Sequence, residues 1–279
     1  MTQQLKIERF NKDLPLIADL RALIKEKYAD LFYAVIVHGS VATNEVVPYS
    51  DFDGLLIIKD EFANSNRLQR FKLDSTKLIL KFDPLQHHGW FQIKESDLNN
   101  YPQYYLPYEI LEHSKVIFSR KDDLLLNIKF DESKIDYKKS LSQLITGIQQ
   151  QLDGDVSKMR MYEFKSYLSK IMLLPSMYYS AKYRKGIFKK DSFELVKPLV
   201  SENAWHCIEV SSDIRQNWSY KISVFQKRIM TLPNRIFRRL TKRYISPNIP
   251  QEFSNKIDSK FYKSLEELID KINKDIFVA

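Results

Sequence analysis

Asp51 and Asp53 stand one residue apart, and ten residues separate them from the preceding His38-Gly39-Ser40. Side chains at i and i+2 of an extended segment leave the same face. The two carboxylates would therefore emerge roughly 7 Å apart along the backbone, close enough for their oxygens to share a site. Two bare carboxylates so placed repel. A divalent cation removes the repulsion, and hard oxygen donors suit Mg²⁺ bridged to phosphate oxygens. With a second ion about 3.5–4 Å away, such a pair can hold both the attacking and the leaving oxygen of an in-line displacement. Gly39 lets the backbone approach a phosphate with no Cβ in the way, and Ser40 adds a hydroxyl and an amide where a helix is expected to begin. An isolated Asp-x-Asp is more often a solvated strand end with an Asx turn. The Gly-Ser pair, the spacing and the flanking apolar runs favour the chemical reading.

Three further groups are candidates on residue type. Asp83, in LILKFDPLQHHGWFQI, ends an apolar segment just before a proline. His87 and His88 stand next to the following apolar run, and an imidazole titrates near neutral pH, as a general base must. Against this, a turn aspartate and a structural histidine are the ordinary alternatives, and only one of two adjacent histidines can face a given side. No His or Cys spacing suggests zinc, and no Ser, His and Asp arrangement is visible.

The elements that must position these groups are legible from periodicity. Leu16, Ile17, Leu20, Leu23 and Ile24 recur at helical spacing from Leu14 to about Asp30. Tyr33–His38 and Leu55–Ile58 are short apolar runs of the kind covered on both faces, and they bracket the Gly-Ser and Asp-Phe-Asp segments. Residues 66–82 fit either a helix (Leu68, Phe71, Leu78) or, at the end, a strand (Leu78, Leu80, Phe82). Strands at Gly89–Ile93 and Lys115–Ser119 complete a small sheet. Beyond about residue 133 helical spacing dominates. Phe164 to Tyr178 reads as one helix kinked at Pro175 and ended by Gly186, and Phe253 to Ile276 as one apolar stripe of about six turns. The expected architecture is α+β: an N-terminal α/β domain with a small mixed sheet (residues 1–125) followed by a helical domain (126–279).

HGS, ten residues and DFDG resemble the signature of the nucleotidyltransferase superfamily related to DNA polymerase β, in particular its small bacterial members similar to the aminoglycoside nucleotidyltransferases. The likeness is close over residues 33–58 and extends elsewhere only to the order of elements. It implies that Gly39 and Ser40 hold a triphosphate and that Asp51 and Asp53 bind two Mg²⁺ ions. A nucleoside monophosphate would then pass from ATP or another NTP to an acceptor hydroxyl. Such families also use a third carboxylate from a neighbouring strand; Asp83 is the candidate, as a metal ligand or an aid to the acceptor. KGIFKKDSFE is similar to the place where relatives direct a helix-start lysine at the triphosphate, which makes Lys189 and Lys190 candidates beside the ordinary reading of solvated surface lysines.

Composition sets the limits. With 279 residues and 44% hydrophobic content, the chain can bury one large core or two smaller ones. It has no run of about 18 apolar residues and its start lacks signal-peptide order, so a cytoplasmic location is expected. Cys207 is the sole cysteine, which excludes an internal disulfide and suits a small buried residue. The net charge is +9, and no acid lies between Asp213 and Glu252, where Arg215, Lys221, Lys227, Arg228, Arg235, Arg238, Arg239, Lys242 and Arg243 all fall. Within that segment Phe237, Leu240 and Tyr244 form an apolar edge. A basic amphipathic helix there could meet nucleic acid, a membrane surface or an acidic acceptor, or simply be solvated. Three functional readings follow: transfer to a small molecule, sugar or protein; an RNA-directed transferase gripping its acceptor through 215–243; and a nucleotide-binding protein of the same fold without turnover.

Overall fold

The computed structural model describes residues 1–47, 50–103, 106–120, 124–152, 156–218, 221–230, 232 and 235–278, with the side chains of residues 132, 152, 157, 235 and 238 outside the description. The chain is α+β and divides into two compact units, residues 1–135 with 231–238, and residues 136–230 with 239–279. Among the described residues no helix is long and apolar enough to cross a membrane.

The first unit runs β1 (Thr2–Ile7), α1 (Pro15–Leu23), β2 (Phe32–His38), α2 (Gly39–Thr43), β3 (Asp53–Ile58), α3 (Asn66–Phe82), β4 (Trp90–Lys94), α4 (Tyr108–Glu112), β5 (Lys115–Ser119) and β6 (Leu124–Lys129). Its main sheet is mixed, ordered β4-β3-β2-β5, with β3 and β4 parallel and the other pairs antiparallel. Both faces are covered, which explains the unbroken apolar runs of β2 and β3. Val35, Val37, Leu56 and Ile58 pack with α1 and α3. Ala34, Ile36, Leu55 and Ile57 pack with Leu5, Ile7, Leu124, Leu126 and Ile128 of an antiparallel β1-β6 pair.

Residues 66–82 form a helix throughout, capped at its start by Ser65, whose hydroxyl accepts from the Leu68 amide. Leu78 and Phe82 thus lie one turn apart on a helix, with Leu80 about 200° round from Leu78, and Phe71, Ser75 and Ile79 follow one another at i+4 on a fully buried side. The helix beginning at Pro15 passes into a wider π turn over Ile24–Tyr28.

The second unit is helical: α5 (Tyr137–Leu152), α6 (Met161–Ile171), α7 (Leu174–Tyr183), α8 (Lys189–Val196), α9 (Glu202–Gln216), α10 (Val224–Met230), α11 (Arg235–Ile245), α12 (Gln251–Ser254) and α13 (Ser259–Asn273), with α11 crossing from the first unit's residues into the second's. Two expectations are corrected. The stretch 164–178 is two helices, because Pro175 occupies the first turn of α7, where its missing amide costs nothing. Arg184, in the left-handed region at φ 53°, ends α7 two residues before Gly186. The C-terminal stripe breaks between α12 and α13, where the Asp258 carboxylate accepts from the Phe261 amide and starts a new helix. Cys207 is fully buried, its thiol pushed up to about 12 by desolvation.

Candidate active site

Gly39, Asp51, Asp53 and His87 come together where β2 ends and β3 and β4 begin. Antiparallel register sets His38 opposite Asp53 and Val37 opposite Gly54, and parallel register sets Gly54 beside Trp90. Phe52 is fully buried in the core shared with α1 and α3, its ring 4.9 Å from that of Trp90 in edge contact. Asp51 and Asp53 on either side of it are partly buried. An aromatic anchor between two acids is what turns both carboxyls away from the core.

Gly39 and Gly54 are required for different reasons. Gly39 has φ +65°, a conformation that L side chains rarely adopt, and a Cβ there would lie 3.0 Å from Asp53 Oδ2. The turn that opens α2 is therefore folded directly against the Asp53 carboxylate. Gly54 has no such strain, but a Cβ on it would stand 2.4 Å from a Trp90 ring carbon. The Gly54 amide also donates to the Gly89 carbonyl at 3.0 Å, tying β3 to the turn that carries the two histidines.

His87 Nδ1 lies 3.7 Å from Asp51 Oδ1, with both side chains largely buried. His88 is close enough to act electrostatically on His38. Burial first, and the charge of His88 second, push the His38 imidazole down to about 4. His38 is 6% exposed, its ring 5.5 Å from that of Phe91, and its Nε2 meets no hydrogen-bond partner among the described residues. Sequence reasoning passed over His38 as a site residue, although its place immediately before Gly39 was the available signal.

Asp83 is the C-cap of α3 and is fully buried. Its carbonyl accepts from the Gln86 amide at 3.2 Å, starting the turn that leads to His87. Strand β4, next to β3, carries no acid. Among the described residues no group of three or more His, Cys, Asp or Glu side chains could hold a metal ion. Asp51 and Asp53 carry hard-oxygen donors of the kind Mg²⁺ takes, and the Gly39 backbone approaches the Asp53 carboxylate closely because it has no Cβ.

Lys189 and Lys190 are the first two residues of α8 in the second unit. A cavity of about 480 Å³ in the first unit is lined by Gln92, Asp97, Tyr101, Gln103, Asp131 and Lys134 among others. It lies toward the far end of β4 from Trp90, and neither Asp51 nor Asp53 is among its lining residues.

No family model matches the chain, and no curated protein does. Among solved structures the chain is similar to spectinomycin adenyltransferase AAD(9) from Enterococcus faecialis, determined with ATP and spectinomycin. The two are 12% identical with a TM-score of 0.43, over 87% of this chain and 98% of that one. That neighbour is a nucleotidyltransferase. So distant a likeness carries no functional argument, and residue roles must come from the geometry around Asp53.

Proposed function

We propose that the protein is a Mg²⁺-dependent nucleotidyltransferase that moves a nucleoside monophosphate from ATP or another NTP to a hydroxyl of a small molecule, sugar or protein. The observation that carries this is the left-handed Gly39 turn seated against the Asp53 carboxylate, with Asp51 beyond the buried Phe52. Asp51 and Asp53 would hold the metal, which when bound neutralises the phosphate oxygens and the charge that develops on them.

The chain's own residues would do the rest. Gly39 and Ser40 seat the donor phosphates, the glycine by close backbone approach and the serine by its amide and hydroxyl. The acceptor oxygen bonds to the α-phosphorus, the bond from that phosphorus to the bridging oxygen breaks, and pyrophosphate leaves with the electron pair. The hydroxyl proton passes to a base drawn from His87, His88 and Asp83. His87 is favoured because its Nδ1 already faces Asp51. Lys189 and Lys190 enter the proposal on residue type alone, as mobile charges suited to phosphate.

One observation favours a second reading, a nucleotide-binding protein without turnover: β4 supplies no third carboxylate. Release of pyrophosphate separates the two. Each NTP, labelled at the α-phosphate, is incubated with the protein, Mg²⁺ and cell extract. The proposal expects label on one acceptor and stoichiometric pyrophosphate, both lost in Asp51→Asn with Asp53→Asn. Equal transfer by that variant would refute it.

A further inference from the structure

The cavity of about 480 Å³ has the volume of an ordinary small-molecule pocket, and the chemistry at Asp51 and Asp53 does not use it. Its lining falls within residues 92–135, all in the first unit. Ile93 and Tyr101 are its deepest apolar residues, 5 and 3% exposed. Both the floor and the wall beside it are held in place. The Tyr101 amide donates to the Lys129 carbonyl of β6 at 2.6 Å, and its hydroxyl donates to the Leu106 carbonyl at 2.7 Å. Gln103 is equally buried; its side-chain amide donates to the Glu109 carboxylate at 2.9 Å, and its side-chain oxygen accepts from the Tyr108 amide at 2.9 Å. A pocket with walls already fixed binds a ligand without a large ordering cost.

The charges select the ligand. Asp97 and Asp131 bring two carboxylates to the lining, and Lys134 brings one ammonium. Asp97 Oδ2 accepts from the Lys94 amide at 2.7 Å, and Asp131 Oδ1 accepts from the amide and the hydroxyl of Ser133 at 3.0 and 2.6 Å. Among the described residues the second oxygen of each carboxylate is uncommitted. Two negative charges against one positive make this lining acidic in a chain whose net charge is +9. A phosphate or nucleotide would face both carboxylates. A polyamine or a divalent cation would add positive charge beside Lys134, and a neutral sugar would leave all three charges without a counter-charge. A ligand with two cationic groups and one carboxylate on an apolar stem satisfies every group. Its cations meet Asp97 and Asp131, its carboxylate meets Lys134, and its methylenes lie on Ile93, Tyr101, Pro102 and Ile135.

We propose that this cavity binds a free basic amino acid, with its α-carboxylate on Lys134 and its two cationic groups on Asp97 and Asp131. This is independent of the chemistry at Asp51 and Asp53.

The test is isothermal titration of the full chain with L-lysine, L-ornithine and L-arginine, beside norleucine, which lacks the side-chain cation, and cadaverine, which lacks the carboxylate. At least one of the basic amino acids is expected to bind at a single site with a Kd below about 1 mM. Norleucine and cadaverine should bind at least about tenfold more weakly, each having lost one charge-assisted bond. Asp97→Asn and Asp131→Asn should each weaken the amino acid about tenfold. Lys134→Gln should weaken the amino acid by a similar factor but tighten cadaverine, a reversal that loss of structure would not produce. None of these three side chains belongs to the buried core, so thermal unfolding should be little changed and shows that each variant is folded. Asp51→Asn with Asp53→Asn should bind the amino acid as the parent does. Failure of all three amino acids to bind saturably would overturn the proposal. So would norleucine or cadaverine binding as tightly as they do, or cavity variants that bind like the parent.

Discussion

Replacing Gly39 by alanine should separate stability from catalysis. At φ +65° an L residue costs about 1–2 kcal/mol, offset by about 0.4–1 kcal/mol from the stiffer unfolded chain. The net loss is about 1 kcal/mol, or a melting temperature lower by roughly 2–4 °C for a unit of this size. The new methyl would also stand 3.0 Å from Asp53 Oδ2. That is tighter than carbon and carboxylate oxygen tolerate, so the carboxylate must give by a few tenths of an ångström. Misplacement of about 1 Å at a reacting centre can cost 10²-fold, so a shift of this size should cost about tenfold in transfer beyond any loss of folded protein. Urea unfolding gives the first number and pyrophosphate release at a temperature where both proteins are folded gives the second. A variant destabilised by about 1 kcal/mol but fully active would show that Asp53 does not need its observed position beside Gly39, and the account of the site would be wrong.

Other substitutions probe the same frame. Gly54→Ala places a Cβ 2.4 Å from the Trp90 ring and should cost about 1–3 kcal/mol or more by overpacking; adding Trp90→Leu should recover part of it in a double-mutant cycle. His87→Ala should lower transfer per folded molecule by about a hundredfold, read as pyrophosphate release, since its Nδ1 lies 3.7 Å from Asp51 Oδ1. Asp275 reports on the second unit. It accepts from Lys271 at 2.7 Å and from the Tyr178 hydroxyl, and these bonds, Lys271 first, hold its carboxyl down at about 2 against an ordinary 3.8. A folded-state value below the unfolded one adds stability above pH 3.8 that is lost as pH falls toward 2. Allowing for screening, that is about 1 kcal/mol, visible as acid-sensitivity that Asp275→Asn lacks.

What could be read beforehand follows from how each element is covered. Strands β2 and β3 announce themselves because both faces are buried, leaving no polar residue to break the run. Strands β1 and β6 escaped notice: only alternate residues are buried, and their partners lie more than a hundred residues apart. Alternation at Leu78, Leu80 and Phe82 left the type of residues 66–82 open, because the end of a helix can mimic a strand when its last side chains are large. Pro175 was taken for a kink where it starts a helix, a distinction set by whether the previous turn keeps its hydrogen bonds. At the site, the Asp-Phe-Asp pattern and Gly39 were plain from residue type and spacing. The buried His38 was not, since an imidazole without a hydrogen-bond partner on its Nε2 is a property of packing.

The most direct measurement is the position of Mn²⁺, used in place of Mg²⁺, by anomalous scattering from crystals grown with a non-hydrolysable NTP analogue. The account predicts metal density between the carboxylates of Asp51 and Asp53, with the nucleotide phosphates against the Gly39-Ser40 backbone. Metal and nucleotide bound elsewhere, or phosphates at the aspartate pair without metal, would contradict it.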